Sequence, residues 1–180
     1  MKNTKEIQMP HDRGYKRDLS NPEEFLHFLQ KYIGADWTKE INSSQLQLCD
    51  KEFVEKDYEG KEADLIYRIA KENGRQIVVF VLQELQSTID YTMIFRILVY
   101  VVNILVRFFM AAAREEREKK DFRLPAVVPI VFYNGTSKWN AVENLREYQI
   151  NGSMFGEYVL NLQYYLIDLS QVEEEYILST

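Results

Sequence analysis

The stretch QELQS, at positions 83 to 87, contains the residues of this chain that are best suited to chemistry. It follows the apolar run IVVFVL, so a strand that crosses a hydrophobic core would end on a carboxylate, Glu84, and an amide, Gln86. Because side chains alternate along a strand, Glu84 and Gln86 share one face. A second carboxylate, Asp64, stands near the start of the preceding apolar run, DLIYRIA. These three residues are the first candidates for a functional site.

The strand that carries Glu84 is predicted to be the second strand of a β-hairpin. Two apolar runs flank Asn73-Gly74, which is the strongest short hairpin signal in a sequence. With a two-residue turn, Asp64 and Glu84 point to opposite faces. A three-residue loop, which pairs Glu72 with Gln76, puts Asp64 opposite Glu84 on the same face, and a bulge would do the same. The sequence leaves these registers open.

Two carboxylates that lie close together on a largely buried sheet repel each other unless a cation or protons neutralise them. Mg²⁺ prefers oxygen ligands, and it commonly binds one or two carboxylates together with water and phosphate oxygens. Such an ion polarises a phosphoryl group and helps to generate hydroxide from water. Gln86 could orient the attacking water or a phosphate. The alternative is that these acids are solvated, as carboxylates at strand ends commonly are.

Length and composition predict one folded domain. The chain has 180 residues, of which 46% are hydrophobic, and this is enough for a single sizeable core. Its one cysteine, Cys49, has no partner for an intrachain disulfide, so we expect a reducing compartment and a cytoplasmic protein. The first residues contain no apolar stretch typical of a secretory signal.

The charge of the chain argues against binding nucleic acid by bulk electrostatics. The formal net charge is -6, whereas proteins that coat nucleic acid are usually basic. A local site is still compatible with this charge. Arg13, Lys16 and Arg17 form a basic cluster near the start that could meet phosphates, while the acidic runs at 115–121 and 172–176 are typical of solvated faces.

Two helices are predicted on either side of the hairpin. The segment SNPEEFLHFLQKYIG has Asn21 as a cap and Gly34 as a stop signal. A longer pattern compatible with a helix begins at Ser87, which is a plausible cap with Asp90 three residues on, and continues to residue 120. Although its centre is apolar enough to raise a membrane interpretation, buried arginines are costly in a bilayer, so a core helix and no membrane contact are expected. One polar stripe follows this helix at Arg96, Tyr100, Asn103 and Arg107.

Further strands are predicted on both sides of these elements. LQLCDKEFV suggests a short strand, DFRLPAVVPIVFYNG a third strand of the core, and LNLQYYLIDLS a fourth. Pro129 favours an edge strand or the start of a strand, because proline lacks the N–H that a central ladder uses. VENLREY is a candidate short helix. This order of elements predicts a mixed central sheet flanked by helices, in an α/β or α+β domain.

Five segments, in order, resemble one family of bacterial proteins. They are HDRGYKRDLSNPEEFLHFL at 11–29, DKEFVEKDYEGKEADLIYRI at 50–69, VLQELQSTID at 81–90, FRILVY at 95–100 and LPAVVPIVFYNGTSKW at 124–139. Together they resemble the recombination-promoting nucleases, also described as transposases of the YhgA-like type. The aspartate followed by ExQ looks like the PD-(D/E)XK nuclease pattern, with glutamine where lysine usually stands. The resemblance implies an α/β fold with a restriction-endonuclease-like core, in which the hairpin carries the active site and a long helix follows it.

The resemblance also implies roles for individual residues. Asp64 and Glu84 would be ligands of Mg²⁺, with Mn²⁺ or Ca²⁺ substituting for it or stimulating activity. Gln86 would replace the lysine of the motif, and Asp12 would lie near the metal. The neighbouring His11 is expected to be structural or to face phosphate, since a hard cation prefers oxygen.

Two hypotheses about function follow. In the first, the chain is a Mg²⁺-dependent DNA endonuclease linked to recombination, transposition or phage defence, and phosphates are contacted by members of one basic set: Arg13, Lys16, Arg17, Arg96 and Arg107. Arg96 and Arg107 have a rival structural role in neutralising buried carboxylates. In the second, the chain is a catalytically degenerate partner that keeps the nuclease fold and binds DNA or a full-length relative. A homodimer is compatible with both hypotheses.

Two further expectations concern the extent of the chain and its aromatic residues. Residues 1–180 are expected to form a single domain, and because members of the family are commonly longer, a truncated piece and a naturally short member both stay open. Phe132, Tyr133 and Trp139 could stack on bases, but core or surface packing is the more usual role for aromatic residues at such positions.

Overall fold

The computed structural model describes residues 19–49, 65–70, 76–84 and 89–169. They contain both helices and strands. The elements in chain order are α1 (Pro22–Tyr32), α2 (Asp36–Lys39), a 3₁₀ turn (Ser43–Gln45), β1 (Leu46–Leu48), β2 (Leu65–Ala70), β3 (Gln76–Glu84), α3 (Met93–Ala111), α4 (Arg114–Arg117), β4 (Ala126–Tyr133), α5 (Leu145–Tyr148), a 3₁₀ segment (Gly152–Tyr158) and β5 (Tyr165–Asp168).

The described strands form one mixed sheet in the order β1-β2-β3-β4-β5. The pairs β1-β2 and β2-β3 are antiparallel, whereas β3-β4 and β4-β5 are parallel. A parallel pair needs a crossover connection, and α3 lies between β3 and β4 in the chain. The predicted mixed sheet with helices is therefore confirmed.

Each face of the sheet is covered by a helix. On one face, Phe25 and Leu29 of α1 belong to an apolar cluster with Tyr67, Val79 and Phe132, and the Phe25 and Tyr67 rings stack with their centroids 4.1 Å apart. On the other face, α3 contributes residues to a second cluster. That cluster includes Met93, Ile97, Ile104, Ile66, Val131 and Tyr133. Because β4 contributes residues to both apolar clusters, its near-continuous apolar content is what a strand buried on both faces requires.

Helix α1 begins and ends as its sequence predicts. The Asn21 side chain accepts hydrogen bonds from the backbone N–H groups of Glu23 at 2.8 Å and Glu24 at 3.4 Å. Gly34 follows the helix with φ of 62°, a left-handed conformation that glycine adopts without steric cost. Local capping chemistry therefore sets both ends of this helix.

The helical pattern between Ser87 and residue 120 begins later than predicted, because residues 89–92 precede the helix, and it is broken after Ala111. Ser87 lies outside the described residues, and α3 begins at Met93 with Thr92 at the N-cap position. Asp90 accepts hydrogen bonds from the Thr92 N–H at 2.8 Å and from its hydroxyl at 2.6 Å, and these bonds form a turn before the helix. The helix ends at Ala111, where Ala112 turns to an extended conformation with ψ of 141°.

Both hairpin registers derived from the sequence are also wrong. Gln76 pairs with Ala70, whereas the three-residue loop required it to pair with Glu72. The described register places Ile69 opposite Ile77 and Leu65 opposite Val81. Asp64 and the loop at 71–75 lie outside the described residues.

Pro129 lies in the interior strand β4, between β3 and β5, and the expectation of an edge strand or a strand start is wrong. It pairs with Phe80 of β3. On the other side, β5 begins to pair with β4 only at Ile130. A missing N–H at position 129 therefore needs no partner in β5, which makes proline tolerable inside this strand.

Helix α3 is the one helix in the described part of the chain that is long and apolar enough, by length and composition, to cross a membrane. Core helices of soluble proteins can have the same properties. One face of α3 packs in the cluster beneath the sheet, and Arg96 is buried in that face. The absence of a membrane partner stays a prediction.

Gly135, just after β4, provides a test of how tightly the end of this strand is packed. A Cβ atom at position 135 would overlap the ring and hydroxyl of Tyr133. Tyr133 is fully buried, and its ring packs edge-on against the Trp139 ring with the two centroids 4.9 Å apart. We expect Gly135→Ala to lower the free energy of unfolding by about 1–3 kcal/mol, because the buried ring must shift. Urea unfolding measures this. Thr136→Ala, at an exposed neighbouring position, is the control and should change little, and equal stability of the two variants would contradict the packing.

Candidate functional site

The candidate site lies at the carboxyl ends of the three parallel strands. Glu84, Tyr133 and Asp168 are the last residues of β3, β4 and β5, and the strand register aligns them in one row. Ligands of open α/β sheets commonly bind beyond the carboxyl ends of the strands. The row therefore locates the end of the sheet at which the predicted chemistry would take place.

The structure describes only part of the predicted site. For Glu84, the backbone and its pairing with Tyr133 are described. Arg96 and Arg107 lie in α3, where Arg96 is buried and Arg107 is exposed. The remaining predicted residues lie outside the described ranges: Asp12, Arg13, Lys16, Arg17, Asp64 and Gln86.

Arg96 forms a buried ion pair with Asp90. The Arg96 Nη1 atom lies 2.7 Å from Asp90 Oδ2, and the two side chains are 5% and 18% exposed. Asp90 Oδ1 accepts the two hydrogen bonds from Thr92, so each carboxylate oxygen has a donor. Burial by itself would raise the pKa of Asp90, but the hydrogen bonds from Thr92 and Arg96 and the positive charge of Arg96 outweigh it and lower the pKa below its usual value.

The predicted polar stripe of α3 is divided by this packing. Arg96 and Tyr100 lie on the buried face, Asn103 is half-buried and Arg107 is exposed. The sequence does not identify Asp90 as the partner of Arg96, because the capping pattern assigns Asp90 to Ser87. The one sequence signal for this pair is a carboxylate six positions before an arginine within an apolar helix.

A second polar network connects the end of β5 to the segment after β4. The Trp139 backbone N–H donates to Asp168 Oδ2 at 2.9 Å, and the Trp139 indole N–H donates to the Tyr164 hydroxyl at 3.1 Å. The Tyr164 hydroxyl in turn donates to the Val142 carbonyl at 3.2 Å. Asp168 carries the same sequence signal as Glu84, a carboxylate at the end of an apolar run, but it is not among the predicted site residues.

Negative charge gathers around this network. Burial raises the pKa of Tyr164 above its usual range, and although the hydrogen bond from Trp139 opposes this shift, the negative charges of Glu143 and Asp90 add to it. Asp90 and Glu143 are therefore within electrostatic reach of Tyr164.

The aromatic residues considered for base stacking pack in the interior. Phe132 and Tyr133 are 0% exposed and Trp139 is 5% exposed. Trp139 uses its indole N–H inside the protein, as buried tryptophans usually do. Core packing, the alternative role considered for these three residues, is their role in the described structure.

No group of three or more His, Cys, Asp or Glu side chains is close enough to hold a metal ion among the residues that the structure describes. Of the two predicted Mg²⁺ ligands, Asp64 lies outside these residues and Glu84 is described by its backbone. The proposed donors are carboxylate and amide oxygens, which suit a hard cation. The metal site stays a prediction.

The family model described as "Putative transposase, YhgA-like" matches residues 9–180 of the chain. The inactive recombination-promoting nuclease-like protein RpnE of Escherichia coli K12 is 26% identical over 174 residues, which cover 94% of this chain and 54% of RpnE. The recombination-promoting nuclease RpnC of the same strain is 29% identical over 126 residues, which cover 70% of this chain and 39% of RpnC.

A further relative, the recombination-promoting nuclease RpnD of Escherichia coli O157:H7, is 27% identical over 128 residues, covering 71% of this chain and 46% of RpnD. The chain thus spans about half the length of these curated relatives, or less. No solved structure matches the chain.

The lowered pKa of Asp90 predicts how the ion pair responds to acid. In the unfolded chain Asp90 has an ordinary pKa of about 3.9, so its stabilising contribution is present above that pH and is lost as the pH falls through and below it. We expect Asp90→Asn to cost about 3 kcal/mol of stability at pH 7, since it leaves Arg96 buried without its counter-ion. The difference from wild type should shrink below about pH 4.

Urea unfolding of both proteins from pH 7 to pH 3 measures this difference. Asp36→Asn is the matched control, because the Asp36 side chain is 95% exposed and pairs with an exposed lysine. A difference between wild type and Asp90→Asn that stays constant over this range would contradict the assigned role of the carboxylate.

Proposed function

This chain belongs to the family of YhgA-like transposases, and we propose that it cleaves DNA as a Mg²⁺-dependent endonuclease. Three of its curated relatives are named recombination-promoting nucleases, which supports nuclease chemistry in general. A restriction-endonuclease-like core and a role in recombination, transposition or phage defence are parts of this proposal.

The observation that carries the proposal is the position of Glu84. It ends β3 at the carboxyl ends of the parallel strands, in the row that contains Tyr133 and Asp168. The neighbouring strand β2 runs antiparallel to β3 and begins at Leu65, which pairs with Val81. The start of β2 therefore lies at the same end of the sheet as the end of β3, and Asp64 directly precedes β2 in the sequence.

In the proposed site, Asp64 and Glu84 hold the metal ion, and Asp12 is a further acid near it. When bound, Mg²⁺ supplies charge stabilisation for the phosphoryl group and a more acidic water. Gln86 orients the attacking water through its amide. This amide has no positive charge, so it cannot neutralise the leaving oxygen as the usual lysine of the motif would.

Of the predicted phosphate-contacting residues that the structure describes, Arg107 fits this role, because its side chain is exposed on α3. We propose that Arg13, Lys16 and Arg17 share this task. Arg96 is paired with Asp90 and 5% exposed, so its burial supports the structural role considered for it.

A catalytically degenerate DNA-binding or regulatory partner is the second candidate function. The specific observation in its favour is the similarity to RpnE, which covers 94% of this chain and is named an inactive nuclease-like protein. Glutamine in place of the usual lysine agrees with reduced activity. A cytoplasmic location, no membrane contact and a homodimer belong to the proposal in either case.

Cleavage of supercoiled plasmid DNA tests the endonuclease directly. We expect nicking in Mg²⁺ or Mn²⁺, none in EDTA, and at least a 100-fold loss of rate in Asp64→Asn and in Glu84→Gln, since each removes a charged metal ligand. Glu118→Gln is the matched control, because the Glu118 side chain is 63% exposed just after α4 and should be dispensable. Full activity in both site variants would refute the assignment.

Metal-dependent stability separates the two candidate functions. A site that binds Mg²⁺ raises the free energy of unfolding by about 2.7 kcal/mol at a concentration 100 times its dissociation constant. We expect this increase in wild type and not in Glu84→Gln, as measured by thermal unfolding with and without Mg²⁺. A wild-type protein that binds DNA but neither cleaves it nor responds to metal would favour the degenerate partner.

A further inference from the structure

Helix α3 is apolar around most of its circumference, but the sheet covers one face of it. The covered face includes Ile97 and Ile104, which belong to the cluster beneath the sheet. By length and composition α3 could cross a membrane, yet 33% of its most apolar stretch is buried in the protein. A helix that is apolar all round is usually buried all round. The opposite face of α3 is therefore expected to have a partner of its own.

That opposite face carries a continuous apolar stripe, which we call the α3 stripe. Its members recur every three or four residues, with Met110 beside the last of them: Phe95, Val99, Val102, Val106, Phe109 and Met110. Side chains with this spacing are neighbours on a helix surface. Val102 is 46% exposed, Val106 53% and Met110 65%. The stripe itself contains no charged side chain, although the helix carries three polar residues on its flank.

One end of the α3 stripe is ordered by the segment that follows the helix. The Arg117 guanidinium lies 4.9 Å from the centroid of the Phe109 ring, and the Phe122 ring meets Phe109 edge-on with 6.2 Å between the centroids. Phe109 nevertheless keeps an exposed surface. A surface whose side chains are already held in place loses little conformational freedom on binding, which favours association.

The pattern of the α3 stripe fits a second copy of the same helix. Phe95, Val102 and Phe109 are seven positions apart, and a repeat of this kind forms the seam along which two helices pack. The order of the side chains is also nearly the same in both directions, with phenylalanines at the ends and valines in the middle. In an antiparallel pair, a two-fold axis near Val102 places Phe95 of each copy beside Phe109 of the other, so the surface is self-complementary.

The area of the α3 stripe is sufficient for a weak dimer. The exposed parts of its side chains offer roughly 500 Å² of apolar surface, so a symmetric pair would bury about 1,000 Å². This area is near the lower limit for a specific interface, and we expect a dissociation constant on the order of 10 µM. Because the stripe is uncharged, it does not fit nucleic acid, whose phosphates are bound by cationic side chains.

We propose that the α3 stripe is an interface between two copies of this chain, which pack through α3 in antiparallel orientation about a two-fold axis near Val102. The inference rests on the homodimer that belongs to the proposed function, and it assigns the surface of that homodimer. Association is measured without DNA or metal, so failure of the dimer and failure of the endonuclease are separate results.

Sedimentation equilibrium at micromolar to near-millimolar concentrations tests the interface. Wild type should form dimers, and Val102→Glu and Val106→Glu should each raise the dissociation constant about 100-fold, because two like charges are forced together in an apolar seam. Ile150→Glu is the matched control, since Ile150 is 94% exposed outside α3, and it should associate as wild type does. A wild type that stays monomeric, or a control that dissociates as much as the two α3 variants, would overturn the proposal.

Complementary charges keep the test decisive if a substitution disturbs folding. Val102→Glu and Val102→Lys should each be monomeric alone. Their equimolar mixture should associate about tenfold more tightly than either variant by itself, because the axis brings the two opposite charges together. A loss of folding would not be rescued by mixing. Folded variants whose mixture associates no more tightly than the separate proteins would refute the position of the axis and the interface with it.

Binding to a lipid surface is the competing outcome for an exposed apolar helix face. Wild type should not sediment with vesicles of phosphatidylethanolamine and phosphatidylglycerol, because the second copy covers the stripe. Vesicle binding by a monomeric wild type that Val102→Glu abolishes and Ile150→Glu does not would assign the stripe to a membrane and overturn the dimer.

Discussion

The parallel pairing of β3 with β4 is the constraint on which the rest of the structure depends. Its register runs from Ile77 beside Ala126 to Glu84 beside Tyr133, and β4 contributes residues to both apolar clusters. Burial on both faces explains why β4 reads as an apolar run without alternation. It also explains why the first polar residues after each run lie together at one end of the sheet.

Among the described residues, two sets of buried or partly buried polar groups have partners. Asp90 and Arg96 neutralise each other at the start of α3, while Trp139, Tyr164 and Asp168 share hydrogen bonds after β4 and β5. Such groups are costly when unpaired and add little net stability when paired.

The curated relatives of this chain include nucleases and a nuclease-like protein that is named inactive. Family membership therefore does not decide whether this chain is active. Fold alone does not determine chemistry. The described part of the structure includes the end of β3 but not Gln86, so the role proposed for Gln86 is decided by the cleavage experiments.

Local sequence determined much of the secondary structure. Asn21 and Gly34 mark the ends of α1, the apolar run before Glu84 predicts a strand that ends there, and the segment around β4 is recognisable from its Val and Ile content. These features depend on capping and on apolar periodicity, which act within a few residues along the chain. The family resemblance was likewise carried by short motifs in their order.

Only the tertiary structure decided the hairpin register, the start of α3, the place of Pro129 in an interior strand and the pairing of Arg96 with Asp90. Each depends on contacts between elements that are separate in the chain or on competition between a local preference and burial. The register pairs Ile69 with Ile77, and the late start of β5 made Pro129 acceptable. The sequence by itself shows which side chains are apolar or charged, and therefore which groups must be buried or paired. The packing of the sheet between its two helical layers selects their partners, because the burial of each residue depends on the whole core.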